Sequence, residues 1–322
     1  MKLNKAIILS IALLGLSVLF VSCKKEYSTV DKSKKEPILK VIGISLPDDT
    51  PDIKELESAI KEQCDIRNIK CIVMYADNNQ SIELSNVEKF ISDKMDAIAL
   101  YPISSESFNK AIDIINEYNI PLFGINTHSE NENVVSNIHS DFNQIGINAA
   151  DYMSNIIPNE GNVIAITEDN LSGDLILQGI KDSILKSENL KLYSTYKSNG
   201  SIDTTLEYIK AVIEKSNNVD ISGFFVMSDS LKTAVAGYLQ DSGYKHIMVI
   251  GMGRNSESDN MIISNSPLKA VAVEYPNALG KVTIDTIANY LIEEVDVPRH
   301  IPVRIGLVDN KKLKNKSNHI DE

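Results

Sequence analysis

The sequence is poor in several residue types that mark common classes of protein. Its 322 residues include no tryptophan and only three cysteines, and acidic residues outnumber basic ones by 44 to 32. The formal net charge of −12 leaves no basic face that could bind the phosphates of a nucleic acid. Nucleic acid is therefore not expected as a partner.

Motifs that carry catalysis or phosphate binding are also missing. The chain has no G-x-G-x-x-G or P-loop segment, no H-E-x-x-H and no G-x-S-x-G. His128, His139 and His246 are isolated in the sequence, so we expect surface or hinge residues there and not metal ligands. The chain has no compact run of alternating oxygen ligands, so a calcium-binding loop is not expected. These absences predict a protein that is not an enzyme and needs neither a cofactor nor a metal.

Cys64 and Cys71 allow two interpretations. They flank a predicted helix-to-strand turn, and an exported protein could oxidise them to a disulfide. Spacing alone does not orient their Cβ atoms, and two buried free thiols are the favoured interpretation. No histidine lies close to either cysteine in the sequence, so a zinc site is not expected there.

The N terminus carries an export pattern. Two lysines precede an apolar run over residues 6–21, which is too short for a comfortable membrane span. Ser22 followed by Cys23 resembles a bacterial lipoprotein cleavage site. We predict a signal peptide over residues 1–22, then a lipidated Cys23 that begins a flexible, lysine-rich tether over residues 23–37. The protein would be a membrane-anchored lipoprotein facing the periplasm or the cell exterior; an ordinary signal peptide or an uncleaved anchor are the alternatives.

Short apolar runs alternate with segments of helical period from residue 38 onward. The runs include "KVIGISL", "CIVMY", "AIALY", "PLFGI", "NVIAIT", "GFFVM" and "MVIGM". Continuous apolar strands separated by amphipathic helices predict an α/β fold with parallel sheets covered on both faces. The loops after such strands gather along one edge, where open α/β sheets bind ligands. The polar residues that follow the strand ending at Ile125 therefore indicate a ligand site.

Four stretches appear in an order and spacing that resemble a known family. They are "DAIALYPISSESFNKAIDIINEYNIPLFGIN", "SNIHSDFNQIGINAADYM", "GFFVMSDSLKTAVAGYLQDSG", and "IMVIGMGRNSESDNMI" followed by "KAVAVEYPNALGKV". Together they resemble the periplasmic sugar-binding proteins of the ribose and galactose type, the type I solute-binding proteins. The resemblance implies two Rossmann-like lobes joined by a three-crossing hinge, with the ligand between them. It places lobe 1 at residues 38–140 plus 276–300 and lobe 2 at residues 141–275 plus 301–322.

The ligand residues that the resemblance implies depart from the family's pattern. The family's aspartate and arginine after the fourth strand become Asn126 and Thr127, and its hinge glutamine becomes Glu274. Residues 50–53 lack the two aromatics with which sugar binders stack on the ring. The predicted ligand-binding residues are Asp49, Asp52, Tyr101, Asn126, Thr127, His128, Asp141, Asp174, Ser228, Asp229, Arg254 and Glu274.

Several of these residues also have a purely structural interpretation. Asp229 could cap the N terminus of its helix, and Asp49 could be a solvated turn residue. Asp174 could lie on the outer face of a helix, and Arg254 could pair with Glu257 on the surface.

The predicted cleft thus has few aromatic rings and many acids. Tyr101 and Tyr275 are the only aromatics expected near the ligand, and Arg254 and His128 the only cations. A sugar bound through its hydroxyls is favoured. A cationic or amino-bearing solute is an alternative, because unpaired acids are costly to desolvate. A second alternative concerns the function: the protein could be a sensor or a surface lipoprotein that takes no part in transport. The resemblance implies an ABC permease as partner, and we expect a monomer.

Overall fold

Two six-stranded β-sheets organise the chain. The computed structural model describes residues 39–215 and 220–317. The predicted signal peptide and the tether with Cys23 lie outside the described residues. Within the described ranges, no helix combines the length and the apolar character needed to cross a bilayer.

The sheets are mostly parallel. The strands of the first sheet are β1 (Lys40–Leu46), β2 (Ile69–Tyr75), β3 (Ala97–Leu100), β4 (Leu122–Ile125), β5 (Val134–Ser140) and β11 (His300–Val303). Those of the second sheet are β6 (Gly161–Glu168), β7 (Leu190–Ser198), β8 (Ile221–Val226), β9 (Met248–Met252), β10 (Leu268–Val273) and β12 (Gly306–Asp309). The spatial orders are β11-β5-β4-β3-β1-β2 and β12-β10-β9-β8-β6-β7, and β12 alone runs antiparallel to its neighbour. The predicted α/β fold with two Rossmann-like lobes is confirmed.

Ten helices cover these sheets within the described residues. They are α1 (Pro51–Arg67), α2 (Gln80–Ser92), α3 (Ser105–Asn116), α4 (Phe142–Ile156), α5 (Leu171–Ile184), α6 (Ile202–Lys215), α7 (Asp229–Asp241), α8 (Ser256–Ile263), α9 (Pro276–Leu291) and α10 (Asn310–Ser317). Polar residues at the strand-to-helix turns set several of the helix starts. Asn79, for example, accepts a hydrogen bond from the Ser81 amide at 2.9 Å, and Ser104 and Ser107 form a capping box.

Helices bury both faces of each sheet, which explains the continuous apolar strands. The four residues of β3 are all buried. Ala97 and Ala99 join the cluster beneath α1 and α9, whereas Ile98 and Leu100 join the cluster beneath α2 and α3. The second sheet likewise has one apolar cluster on each face.

The chain passes between the two lobes three times. The crossings follow the ends of β5, β10 and β11, at residues 140–142, 273–276 and 303–306. Residues 301–303, expected in lobe 2, instead pair in lobe 1, where Ile301 and Val303 lie opposite Ile138 and Ser140 of β5. The reason is that this segment continues the strand that starts at His300, so the third crossing comes after Val303.

Cys64 and Cys71 form a disulfide, so the interpretation as free thiols is wrong. Their Cα atoms are 6.4 Å apart, within the range that a disulfide can bridge. Cys64 lies in the last turn of α1 and Cys71 in β2. Between them Asn68 adopts a left-handed conformation with φ of 53°, which turns the chain sharply and brings the two Cβ atoms to the same side.

Helices α4 and α5 approach so closely that glycine is required on both. A Cβ added at Gly146 of α4 would lie 2.0 Å from the Ile176 carbonyl oxygen. A Cβ added at Gly179 of α5 would lie 2.0 Å from the Asn143 carbonyl oxygen. The two backbones therefore touch, and this contact fixes α4, which carries the chain away from the first crossing.

We expect Gly179→Ala to destabilise the protein. Overpacking typically costs about 1–3 kcal/mol, and the better helix propensity of alanine returns part of that, leaving a net loss of about 1–2 kcal/mol. Urea unfolding followed by circular dichroism measures the change. Gly237→Ala in α7 is the matched control, because no atom lies within 4 Å of its added Cβ. That variant should be as stable as the parent or slightly more so, and equal effects of the two substitutions would contradict the close packing.

Candidate functional site

A cleft of about 870 Å³ lies between the two lobes, where strand ends from both sheets meet. Small-molecule sites usually occupy about 300–1,000 Å³ at such a position. Lobe 1 contributes Asp52, Glu55, Tyr101 and Asn126. Lobe 2 contributes Phe142, Glu168, Asn170, Ser172, Met227, Ser228, Asp229, Met252, Gly253, Arg254, Val308, Lys312 and Leu313, and the second crossing contributes Val273, Glu274, Tyr275 and Pro276.

A hydrogen-bonded network forms the lobe 1 wall of the cleft. The Asn126 side-chain amide donates to the Tyr101 hydroxyl oxygen at 2.7 Å and to Glu274 Oε1 at 3.0 Å. Its carbonyl oxygen accepts from the Ser140 backbone amide at 3.1 Å, and the Ser140 hydroxyl also donates to Glu274 Oε1. Asn126 has φ of 48°, a left-handed conformation that asparagine tolerates better than most residues. The network therefore fixes Tyr101 and Glu274 in place before any solute arrives.

Tyr101 is held as a neutral hydrogen-bond donor. Burial, and secondly the nearby Glu274 carboxylate, raise the pKa of the Tyr101 hydroxyl well above its ordinary value. The oxygen already accepts from Asn126, so the hydroxyl hydrogen remains to donate.

Asp229 belongs to a second network, on the lobe 2 wall. Its carboxylate accepts from Asn255 Nδ2 at 3.1 and 3.0 Å and from the ammonium of Lys232. Lys232 is fully buried, whereas the Asp229 side chain is 58% exposed. Asp229 does not cap α7, because Ser228 occupies that position and accepts from the Leu231 amide. Asp229 instead neutralises a buried cation while it faces the cleft.

Arg254 is also paired within the protein. Its Nε and Nη2 atoms donate to the two carboxylate oxygens of Asp259 at 2.9 and 2.8 Å, and not to Glu257 as suggested by the sequence. Hydrogen bonding to Asp259 raises the pKa of the Arg254 guanidinium. Bidentate pairs of this kind hold the guanidinium plane in one orientation at the cleft.

The cleft is polar with an acidic bias. Its lining contains five acidic residues and two basic ones, Arg254 and Lys312. Helices α5 and α7 begin at the cleft, at the capping residues Asn170 and Ser228, and present their positive ends to it. Together these features offer both hydrogen-bond donors and acceptors to a bound solute.

Seven of the predicted site residues line this cleft. They are Asp52, Tyr101, Asn126, Ser228, Asp229, Arg254 and Glu274. The other five do not line the cleft; they are Asp49, Thr127, His128, Asp141 and Asp174.

Each residue outside the lining has a local structural role. Asp49 pairs with Lys54 at 2.9 Å on the surface, and Asp174 pairs with Lys197 at 2.5 Å on the outer side of α5. Asp141 caps α4 by accepting from the Gln144 amide at 3.1 Å. The Thr127 side chain lies against Gly124, and His128 stacks on His300 with ring centroids 3.9 Å apart.

Two lining residues correct the sequence expectations. Phe142 adds a third aromatic ring, and Lys312 rather than His128 is the second cation. Phe142 is the last residue of the first crossing, so its position at the hinge was a usable signal. Lys312 belongs to α10, which follows β12, and no motif in the sequence pointed to it.

Comparison with known proteins agrees with this architecture. The periplasmic binding protein domain matches residues 42–294 of the chain. The ribose import binding protein RbsB of Bacillus subtilis (strain 168) is 23% identical over 253 residues, which cover 78% of this chain and 81% of that protein.

Solved structures show the same fold. A periplasmic ribose ABC transporter from Conexibacter woesei matches with a TM-score of 0.77 at 15% identity, covering 87% of this chain and 95% of that one. The fructose-binding periplasmic domain of a hybrid two-component system matches with a TM-score of 0.70 at 14% identity, covering 88% and 95%. The matched domain is that of exported solute-binding proteins and not of enzymes. The chain belongs to the periplasmic binding protein family.

Proposed function

We propose that the protein captures a small uncharged polyol, most simply a sugar, in the cleft between its lobes. It would pass this solute to an ABC importer while anchored to a membrane through lipid on Cys23. The observation that carries the proposal is the network of Tyr101, Asn126 and Glu274, which presents fixed donors and acceptors at the carboxyl ends of β3, β4 and β10.

A polyol matches this mixture of groups. Each sugar hydroxyl donates one hydrogen bond and accepts others, so it can pair with the carboxylate of Glu274 and with the hydroxyl of Tyr101. The apolar C–H face of a sugar ring packs against aromatic rings, and Phe142 and Tyr275 supply such rings beside the hinge. The ribose import protein named above supports the sugar class.

The pairing of charges within the protein favours an uncharged solute. Asp229 is already balanced by Lys232, and Arg254 by Asp259. Glu274 accepts two hydrogen bonds through one carboxylate oxygen. A cationic solute is therefore not needed to offset buried charge, although the acidic bias of the lining keeps that class as the second candidate.

A ligand screen tests the proposal directly. The purified protein would be heated with pentoses, hexoses, xylitol and myo-inositol, and in parallel with amino acids and polyamines. A solute present at 100 times its dissociation constant should add about 2.7 kcal/mol of stability, which appears as a raised melting temperature. A rise with sugars or polyols alone would support the proposal, and a rise with polyamines alone would favour the cationic class. No rise across the panel would contradict solute capture.

Sensing is a further candidate because the same fold serves as a fructose-binding domain in a two-component system. The distinguishing measurement is ATP hydrolysis by a candidate ABC importer in liposomes with the solute-loaded protein. Stimulation supports transport, whereas solute binding without stimulation by any tested importer favours a sensor or surface lipoprotein.

A further inference from the structure

Three histidines that are distant in the sequence meet in lobe 1. His128 lies in the loop after β4, His139 in β5, and His300 at the start of β11. One ring nitrogen from each lies within 4.8 Å of those from the other two. The ring centroids of His128 and His300 are 3.9 Å apart and the rings are stacked, and His139 lies 5.4 Å from His128.

Each histidine of this cluster has one ring nitrogen that is buried without a partner among the described residues. His139 is only 7% exposed, and its Nε2 has no hydrogen-bond partner among the described residues. Within the same residues, His128 Nδ1 and His300 Nδ1 are also buried without one. A buried polar atom that lacks a partner costs roughly 1–3 kcal/mol, so three of them at one place call for a bound group.

We propose that His128, His139 and His300 together bind one divalent transition-metal ion, with zinc as the best match. Three imidazole nitrogens form a typical ligand set for zinc, and a water or carboxylate completes the tetrahedron. Copper and nickel also favour imidazole, whereas calcium and magnesium require oxygen ligands. The site is separate from the solute cleft, because none of the three histidines lines it.

His139 is oriented for this role. Its Nδ1 lies 2.8 Å from the Ser140 carbonyl oxygen, which can only accept, so Nδ1 carries the hydrogen and Nε2 keeps its lone pair. Metal-binding histidines commonly make such a bond through the nitrogen that does not touch the metal.

The backbone arrangement brings the rings near the distances that a metal needs. Strands β11, β5 and β4 are neighbours in one sheet, so strand pairing sets the spacing of His300 from His139, and His128 lies in the loop that directly follows β4. Zinc–nitrogen bonds of about 2.0–2.1 Å place tetrahedral ligands roughly 3.3 Å apart. We expect side-chain rotation to supply the remaining change of about 1.5 Å between the ligand atoms.

Glu130 is positioned as a candidate fourth ligand. Its Oε1 lies 3.0 Å from His128 Nε2 and 3.5 Å from His300 Nε2. The side chain is 76% exposed, so it can turn toward an ion without a packing cost. Arg299 donates to the Glu130 backbone carbonyl and holds this loop against the start of β11.

Metal titration of the full-length chain, purified without a polyhistidine tag and stripped with a chelator, tests the site. Isothermal titration with zinc chloride should give one ion per chain with a dissociation constant in the micromolar range or below. Cobalt chloride should produce the visible absorption of a tetrahedral site. His139→Gln and His300→Ala should each weaken zinc binding by about 100-fold or more, because even the loss of a residue that only orients a ligand typically costs about 10- to 100-fold.

His246→Ala is the matched control, since His246 is exposed and lies in lobe 2 before β9. Its zinc affinity should equal that of the parent. Circular dichroism must show that each variant is folded; if His139→Gln is not, His128→Ala replaces it, because His128 is only partly buried. The proposal fails if the parent does not bind zinc at micromolar concentrations, or if folded variants of the cluster bind it as tightly as the parent.

Discussion

Asn126→Ala is expected to weaken solute binding about 100-fold, which corresponds to roughly 2.7 kcal/mol. The asparagine side chain makes three hydrogen bonds, to Tyr101, Glu274 and Ser140. Its removal releases the Tyr101 ring and the Glu274 carboxylate from their fixed positions and leaves the Ser140 amide without its acceptor. Each such loss is worth about 1 kcal/mol, and more where a partner stays buried.

The measurement is the dissociation constant of whichever polyol the ligand screen identifies, by isothermal titration. Alanine at a left-handed position also strains the backbone, so a control must carry the same strain away from the cleft. Asn119→Ala serves this purpose, because Asn119 has φ of 53° and is exposed at the end of α3. That variant should lose some stability and keep its affinity. If the Asn126 variant and the parent bind the solute with equal affinity, Asn126 does not contribute to binding.

Asp229→Ala is expected to lower the free energy of unfolding by about 3 kcal/mol. Lys232 is fully buried and Asp229 is the acid that neutralises it, while Asn255 donates to the same carboxylate. Without the carboxylate, the ammonium retains the Asp229 backbone carbonyl at 2.9 Å but has no opposite charge. Leaving a buried charge uncompensated typically costs about 3–5 kcal/mol, and the partial exposure of Asp229 places this case at the lower end.

Urea unfolding measures the loss, and a matched control separates it from an ordinary surface pair. Asp174 is the matched control, because it also lies in the first turn of a lobe 2 helix and pairs with a lysine, Lys197. The side chains of Asp174 and Lys197 are both partly exposed to solvent, whereas Lys232 is fully buried. Asp174→Ala should cost less than about 1 kcal/mol. The double variant Asp229→Ala with Lys232→Met should recover most of the lost stability, since no buried charge remains. If the two aspartate variants lose equal stability, the buried-charge account is wrong.

The double variant also decides what Asp229 does at the cleft. It restores folding while the carboxylate is still missing. If Asp229 contacts the solute, affinity should stay low in this stable background. If affinity returns with stability, Asp229 acts only by neutralising Lys232.

The fold was largely predictable because its signals are local. Continuous apolar runs such as "AIALY" require burial on both faces, and the residues of β3 alternate between two clusters as such a run implies. The left-handed turn at Asn68 carried no such signal. The Cys64–Cys71 bond depends on that turn, so spacing alone could not decide between a disulfide and free thiols.

The site was most predictable for residues that come straight after a strand. Asn126 and Glu274 come straight after β4 and β10, so their place at the cleft follows from the topology. Asp174 was misjudged because its partner, Lys197, is in a different element, and sequence does not reveal which side of α5 faces β7. The sequence did not reveal the histidine cluster for the same reason. His139 and His300 are 161 positions apart, and only the pairing of β11 with β5 brings them together.

The bonds between Glu274 and the end of β5 restrict how the two halves can move. Glu274 follows β10 and accepts from Ser140, so two of the three connecting segments are fastened to one another. Twisting one segment past the other would break a charge-assisted bond, so we expect rotation about one axis to be the easier displacement. Tyr101, Asn126 and Glu274 should keep their mutual geometry during such a rotation, because the same bonds join them. An incoming solute would then meet these groups already assembled, which lowers the entropy lost on capture.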